Sequence, residues 1–390
     1  MRVLEFLLLL GTGTGAVAVA LRPKGPGHHD SEGFRTRLPA IKRQQDDGQE
    51  VATYDDACNI GFCSVWGATI GGWGANYTTV KTVDELASAV SGTQEGVIIV
   101  EGAVTGDGRV VEVGSGKTIV GNPGSCRWFF FPFFPFYIYI YIYIYTLLIL
   151  STALSGIALS LNSSGNVIIR NLRIFNAPGA AAISLASARS VWVDHCEISG
   201  SGTQDHLLSI THGTDYVSVT HNRFYSHRPA SASAVPTAAD VPAPAAVNVG
   251  HSDANAEQDR DKLHVTLARN HFSDVASAVS FRFGTGHLFN SFYEKLDDGI
   301  DTRAGARVFV EGSGFDGIGP GRAVYSSTED GFATVTASWF VGPGASFMPA
   351  QANMTSENVG YPYDWFYWPD TSTVKDRVKR WAGQTLELMV

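Results

Sequence analysis

The chain contains few basic and few sulfur-containing residues. Lys and Arg number 28 against 37 Asp and Glu in 390 residues, and the formal net charge is −9. This excess of negative charge argues against nucleic acid as a partner, because binding phosphate groups requires a positively charged surface. A polyanionic sugar bound in a locally basic groove stays possible. The four cysteines are too few for a fold built on disulfides, and Cys58 and Cys63 could either form a local bridge or stay free.

Other absences narrow the fold class. Charged residues make up only 17% of the chain, heptads are missing, and 42 residues are glycine. Such a composition is typical of turn-rich, all-β extracellular proteins. At this length the chain can bury a large core. We expect one elongated repeat domain rather than two or three globular domains.

An apolar residue recurs at a nearly constant interval between residues 166 and 340. The intervals are 24, 26, 48, 20, 23 and 25 residues, and we interpret 48 as two turns of about 24. Further apolar residues lie five and seven positions before most of these markers, and only Thr285 and His287 break the pattern. The markers are Ile174, Ile198, Phe224, Phe272, Phe292, Phe315 and Phe340.

This double periodicity predicts an all-β, right-handed parallel β-helix. The alternation indicates strands with one buried face, and the long period indicates a solenoid whose turns stack on one another. Leucine-rich repeats have a similar period, but their Leu-x-x-Leu-x-Leu pattern and Asn ladder are not found in the sequence. A β-sandwich would show hairpin turns every 8–12 residues.

The ends of the chain carry their own signals. Residues 1–20 combine Arg2, an apolar run and small residues, which predicts a secretory signal and hence a secreted protein. Residues 21–50 have the composition of a disordered leader. A short N-terminal helix is expected after a strand at Thr78 to Val80, capped by Thr82 or Asp84. An aromatic cluster and an amphipathic helix in the C-terminal tail are expected to pack on the β-helix.

Two segments interrupt the domain predicted for residues 51–390. Residues 126–150 hold a Phe/Pro tract and a Tyr-Ile alternation, which suit neither a membrane helix nor an exposed strand. We interpret this stretch as a translated intron, and therefore expect no membrane association after signal cleavage. Residues 230–248 are rich in Pro and Ala and are expected to form a flexible loop.

Several short motifs follow one another in a fixed order. They read GGWGA, IIVEGAVTG, KTIVGNPGS, NVIIRNL, VWVDHCEIS, GHSD, FRFGTGH and GARVFVE. Together they resemble secreted fungal pectate lyases of the first polysaccharide lyase family, over roughly residues 55–125 and 152–385. The resemblance implies the β-helix already predicted from periodicity. It also implies an enzyme that cleaves polygalacturonate or pectin of plant cell walls by β-elimination, usually with Ca2+.

The resemblance places the family's active-site residues at definite positions. The motif Arg-x-Pro-x-x-Arg-x-Gly corresponds to residues 277–284, so the second arginine is retained as Arg282 and the first, the family's base, is replaced by Ser277. Arg303 matches a substrate-binding arginine, and Arg228 lies beside the position of a substrate-binding lysine. Asp205 is the one calcium-ligand position that keeps an acid, so Ca2+ is expected for the family but is doubtful in this chain.

Two functions follow from this pattern. The first is a secreted, monomeric lyase acting on polygalacturonate or pectin, with Arg282 in the catalytic motif and Arg228, Arg282 and Arg303 binding the substrate. The second is a β-helix that binds acidic polysaccharide without cleaving it, because Ser277 cannot act as the base.

Overall fold

The structure is a computed structural model, and it describes most of the chain after residue 50. The described residues are 51–122 except 66, 152–200, 204–228, 244–319, 322–342 except 329, 370–389, and single residues 362, 363 and 368. The predicted signal peptide (1–20), the leader (21–50) and the interruption at 126–150 lie outside them. Within the described residues there are 27 strands, and all their pairings are parallel.

One sheet, here called sheet A, has ten strands in sequence order along the stack. Each strand pairs with the equivalent strand one turn later, which is the signature of a β-helix. Its strands are β2 Tyr77–Val80, β3 Gly96–Glu101, β5 Lys117–Asn122, β7 Gly165–Arg170, β10 Arg189–Asp194, β13 Asp215–Thr220, β16 His264–Ala268, β19 Thr285–Phe289, β22 Arg307–Glu311 and β25 Phe332–Thr336.

The second sheet has two arms that meet at β6, Ala153–Asn162, which also pairs with β4, Ala103–Glu112. Face B is the arm formed by β9 Ala181–Ala186, β12 His206–Thr211, β15 Ala245–Val249, β18 Ser277–Arg282, β21 Asp298–Arg303 and β24 Val324–Ser326. Face C is the arm formed by β8 Arg173–Phe175, β11 Glu197–Ser199, β14 Arg223–His227, β17 His271–Val275, β20 Phe292–Leu296, β23 Gly314–Ile318 and β26 Trp339–Val341. The chain runs from sheet A to face C to face B in each turn. The predicted right-handed parallel β-helix is therefore confirmed.

The N-terminal end of the solenoid agrees with the prediction from the sequence. Strand β2 covers the predicted Thr78 to Val80, and helix α1 spans Val83–Val90. Of the two predicted caps, Thr82 is the correct one, because its side chain accepts from the Glu85 backbone N–H while Glu85 bonds back to Thr82. Buried Leu86 and Val90 attach the helix to the end of the core.

The marker residues form one stacked column inside face C, with one correction. Phe272 is the cross-strand partner of Tyr293, not of Phe292, and its ring stacks on Tyr293 with centroids 5.0 Å apart. Taking Tyr293 as the marker puts Gly286 and Leu288 in register with Val265 and Leu267, so the one break in the pattern disappears. The predicted marker Phe292 is wrong by one residue. Its ring is instead buried under the C-terminal helix.

The interval of 48 residues is one turn, not two. Phe224 on β14 is the direct partner of Phe272 on β17, and their rings stack with centroids 5.0 Å apart. The extra length is an insertion before and after β15. It includes a 3-10 turn at Asp253–Asn255 and a short helix α2 at Ala256–Asp259. Residues 245–248 of the predicted flexible loop belong to β15, and residues 229–243 lie outside the described residues.

The bend between sheet A and face C repeats one hydrogen-bonding pattern. The backbone N–H of Cys196 donates to the Asn222 side chain at 2.8 Å, and the N–H of Asn222 donates to Asn270 at 2.9 Å. Serine continues the series, with Asn270 N–H donating to Ser291 and Ser291 N–H to Ser313. A ladder that sequence analysis did not detect is thus present in mixed Asn/Ser form. It satisfies backbone donors that the bend would otherwise leave unpaired.

The C-terminal tail packs against face C as expected. Helix α3, Val374–Trp381, buries Val374 and Val378 against Phe292. Strand β27, Glu387–Met389, then pairs with β1, Val51–Thr53.

Cys58 and Cys63 form a disulfide, and Cys196 is a buried free thiol. No helix among the described residues is long and apolar enough to cross a membrane.

We propose that residues 126–150 are dispensable for folding. The Thr152 hydroxyl donates to the Asn122 carbonyl oxygen at 2.7 Å, so the two flanks of the interruption are already in contact. Deleting 126–150 leaves four residues to connect Asn122 with Thr152, and a shorter loop costs less entropy to close. The deletion variant is expected to give the same β-rich circular dichroism and a Tm equal to or above that of the full chain. An insoluble or unfolded variant would contradict the proposal, and complementary DNA that contains these codons would contradict the interpretation as a translated intron.

Candidate active site

Face B carries a row of polar side chains in register. On these strands the alternate residues Val247, Val249 and Val279 point into the core, so the residues between them lie on the outer side. Cross-strand pairing aligns this outer row from one turn to the next. The row continues onto β6 and β4, and its members are Glu112, Ser160, Ser184, Ser209, Asn248, Ser280, Asp301 and Tyr325. Most of this row therefore offers hydroxyl and amide groups, and its two carboxylates are the exposed Glu112 and the buried Asp301.

Arg282 and Arg303, both predicted from the sequence, are brought together. They are cross-strand partners at the carboxyl ends of β18 and β21. Arg282 donates from Nη1 to the His251 carbonyl oxygen at 3.0 Å, and its Nε lies 3.1 Å from an oxygen of Asp253. Gly250 makes this packing possible: its φ is +83°, and a Cβ there would lie 2.7 Å from the Arg282 carbonyl oxygen. The guanidinium is thus held under the insertion that follows β15.

Arg303 has a carboxylate on its own strand. The Nε of Arg303 lies 4.0 Å from an oxygen of Asp301, two residues earlier on the same side of β21. Asp301 is buried, and it accepts a bond from the Ser327 backbone N–H at 2.9 Å and another from the Ser327 hydroxyl at 2.8 Å. Burial raises the pKa of Asp301 to about 6 despite these bonds and the charge of Arg303.

Arg228 lies at the other edge of face B. It follows the last residue of β14, and its guanidinium contacts Asp274 at 3.0 Å and Asp297 at 2.8 Å. Asp297 directly precedes β21, whereas Arg303 ends that strand six residues later, so the two positions are roughly 20 Å apart at 3.3 Å per residue. The predicted substrate-binding arginines therefore form a close pair and one separate residue.

The remaining two predicted positions lie near Arg228. Ser277 is the first residue of β18, is buried, and is the cross-strand partner of Asp298. A hydroxyl there cannot act as a strong base. Asp205 directly precedes β12 and is exposed.

The residues present do not fit calcium. The ion takes 6–8 oxygen ligands and relies on several carboxylates for charge. Among the described residues of face B, the strands nearest Asp205 (β9, β12 and β15) present Ser184, Ser209 and Asn248 in the outer row instead of acids. Asp301 is already hydrogen-bonded to Ser327 and lies next to Arg303, which repels a cation. No chemistry is therefore assigned to calcium here.

Sequence reasoning missed both carboxylate partners of the arginine pair. The spacing Asp301-x-Arg303 did contain a signal, because residues two apart on a strand lie on the same side. Asp253 gave none, since it reaches Arg282 only through the insertion between β15 and β16.

A second polar cluster lies at the end of sheet A and is fully buried. One carboxylate oxygen of Asp194 accepts from Arg170 at 2.8 Å and pairs with His195 at 2.8 Å, and the other accepts from the Thr220 hydroxyl at 2.6 Å. Burial alone would raise the pKa of Asp194, but the positive charges of His195 and Arg170 hold it well below its usual range. The cluster thus stabilises the bend at the end of sheet A.

This cluster does not suit a metal ion, although Asp194, His195 and His221 have ligand atoms within 4.8 Å of one another. The two imidazoles are stacked with centroids 4.4 Å apart and planes at 15°, so their nitrogens do not converge on one point. Arg170 and Arg269 also contact the cluster, and their charges oppose a cation.

Replacing Asp194 with Asn is expected to lower the free energy of unfolding by about 3–5 kcal/mol, because it leaves the buried Arg170 without its main counter-charge. Urea unfolding at pH 7 measures the change. Asp316→Asn is a matched control, because Asp316 pairs with Lys375 at a partly exposed site and its loss should cost about 0–1 kcal/mol. Equal effects of the two substitutions would contradict a structural role for the cluster.

Acid is expected to destabilise the fold between about pH 6.5 and pH 4. Burial lowers the pKa of His206 and His221 to about 4, and it also lowers the pKa of His227, His271 and His287. The unfolded chain then binds more protons than the folded chain in this window, so stability rises with pH. The raised pKa values of Asp298 and Asp301 act in the opposite direction but are fewer. Urea midpoints at pH 4.5 and pH 7 test this, and a higher midpoint at pH 4.5 would contradict it.

Known proteins similar to this chain agree with the predicted fold. A pectate lyase of Bacillus sp. N165, solved in complex with trigalacturonate, superimposes with a TM-score of 0.65 at 23% identity, covering 84% of this chain and 98% of the other. Jun a 1, the major allergen of cedar pollen, superimposes with a TM-score of 0.60 at 17% identity, covering 84% and 92% of the two chains.

Sequence similarity to fungal enzymes is closer. Pectate lyase A of Emericella nidulans is 34% identical over 343 residues, which is 86% of this chain and 89% of that protein. Pectate lyase B of Colletotrichum gloeosporioides is 32% identical over 361 residues, or 90% and 93% of the two chains. The family model for pectate lyase matches residues 149–386. The chain therefore belongs to the pectate lyase family of polysaccharide lyases.

Proposed function

We propose that this chain is a secreted lyase that cleaves polygalacturonate or pectin by β-elimination, using the outer side of face B. The observation that carries the proposal is the close pair of Arg282 and Arg303 on adjacent strands. Both stand at positions that the sequence resemblance assigns to the family's active site. The trigalacturonate in the Bacillus structure is a ligand of the same chemical class.

The reaction requires the C5 proton of a uronate to be removed before the C4 oxygen leaves. Negative charge then develops on the C6 carboxyl group, and fixed positive charge next to it lowers the barrier. Two guanidinium groups can bind this carboxyl group through paired N–H donors. Asp253 is the more exposed member of its pair with Arg282, at 40% side-chain exposure, so a substrate carboxylate can take its place.

Calcium fits this proposal poorly, since the face offers hydroxyl and amide oxygens where several acids would be needed. We therefore expect the arginine pair to supply the charge that calcium supplies elsewhere in the family.

A second candidate is a β-helix that binds acidic polysaccharide without cleaving it. It is favoured by Ser277 at the position of the family's base. The ion pairs that hold Arg228 also favour it, because they reduce the positive charge available to a substrate.

Ultraviolet absorbance of the unsaturated product separates the two candidates. The purified chain is expected to release this product from pectin or polygalacturonate, with rates in EDTA within about twofold of those in added calcium. Arg303→Ala is expected to lower kcat/KM by about 10- to 100-fold, and Arg109→Ala, on another part of the chain, should change it little. Binding without product on either substrate would support the second candidate. A rate that requires calcium would contradict the role of the arginine pair.

A further inference from the structure

A lyase of this kind needs a group that accepts the C5 proton, and the family's position for it holds Ser277. A serine hydroxyl is far too weak a base at neutral pH unless a second base activates it. Its cross-strand partner, Asp298, is held by the Arg322 guanidinium. The proton acceptor, if the chain is active, must therefore come from elsewhere on face B.

The acids near this face are not equivalent. Asp205 is exposed and lies at the edge opposite the arginine pair. Asp253 forms an ion pair with Arg282, at a site where a substrate carboxylate would displace it. His206 uses its ring nitrogen on the Ala245 backbone. Asp301 alone combines burial with a place in the outer row beside the arginine pair.

The surroundings of Asp301 hold its carboxylate in a fixed position. The Ser327 N–H and hydroxyl each bond to a different oxygen, at 2.9 and 2.8 Å. Arg303 lies 4.0 Å from one oxygen, close enough to attract the carboxylate but too far for a short ion pair. A uronate bound to Arg303 would place its C6 carboxyl group near Asp301, and C5 is the carbon bonded to C6.

We infer that Asp301 is the base that removes the C5 proton in this chain; the inference rests on the proposed lyase function. In the step, a carboxylate oxygen of Asp301 forms an O–H bond with the C5 proton. The C5–H electron pair moves to C5 and the C6 carboxyl group, where Arg282 and Arg303 offset the charge. The pair then forms the C4–C5 double bond as the C4–O bond breaks. The leaving oxygen takes a proton from water, and the hydroxide so formed takes the C5 proton from Asp301.

Electrostatics around Asp301 support this role. A pKa of about 6 leaves the carboxylate largely ionised at pH 7 and yet far more basic than an ordinary aspartate. The charged and titratable groups that face it are Arg303 and Asp298 from β21, Arg282 from β18, and Tyr325 and Arg322 from the β24 turn. Ser327 is exposed, so its hydroxyl can yield its place to a substrate.

Asp301→Asn is the decisive variant, because Asn keeps the shape and loses the ability to accept the proton. We expect kcat on the better substrate to fall by about 10²- to 10⁴-fold with KM within about threefold. Calorimetry should show that trigalacturonate still binds. The variant should be at least as stable as the wild type at pH 7, since a carboxylate with a raised pKa opposes folding above that pKa. Asp215→Asn is the matched control: Asp215 is equally buried and hydrogen-bonded, to His264 on sheet A, so its replacement should leave kcat unchanged.

A pH profile provides a test that does not depend on the folding of the variant. Wild-type kcat/KM should fall about tenfold per pH unit below about pH 6, as Asp301 becomes protonated. A rate independent of pH between 4.5 and 7, or an Asp301→Asn variant within threefold of the wild-type rate, would overturn the role of Asp301 while leaving the lyase function intact. A wild-type chain that binds trigalacturonate but releases no product overturns the lyase function, and the assignment of a base with it.

Discussion

In-register parallel pairing of equivalent strands is the constraint on which the rest of this structure depends. Each strand is hydrogen-bonded to the equivalent strand of the next turn, so residues at the same position in successive turns form a continuous row. Inside, this gives the stacked rings of Phe272, Tyr293 and Phe315, with centroids 5.0 and 4.5 Å apart. Outside, it aligns Ser280 with Asp301 and Arg282 with Arg303. Core and candidate site therefore follow from one register.

Much of this could be predicted from the sequence, because the signal repeats. The period in the low twenties and the alternation within each strand identified the fold without the motifs. The capping box at Thr82 was local and therefore predictable as well. The errors came where a single turn departs from the repeat. Phe292 and Tyr293 are adjacent apolar residues, and either fits the period. Only the cross-strand pairing with Phe272 identifies Tyr293 as the marker. An insertion made one turn of 48 residues look like two.

The candidate site was predictable only in its repeated part. Register could in principle have placed Arg282 beside Arg303, since each ends an equivalent strand. The contacts of Arg282 with His251 and Asp253 could not be foreseen, because they come from a segment that interrupts the repeat. The pairing of Arg228 with Asp274 and Asp297 was hidden for a related reason, since it joins three different turns at one corner.

Two buried aspartates show how the same burial leads to opposite chemistry. Both lose hydration, which by itself raises a carboxyl pKa. Asp194 has Arg170 at 2.8 Å and His195 at 2.8 Å, and these charges hold its pKa well below the usual range. Asp301 has neutral donors from Ser327 and its arginine only at 4.0 Å, so burial prevails and the pKa rises to about 6. The first aspartate stays charged and fixes the bend of the solenoid. The second can exchange a proton near neutral pH, on the face where the chain collects its arginines.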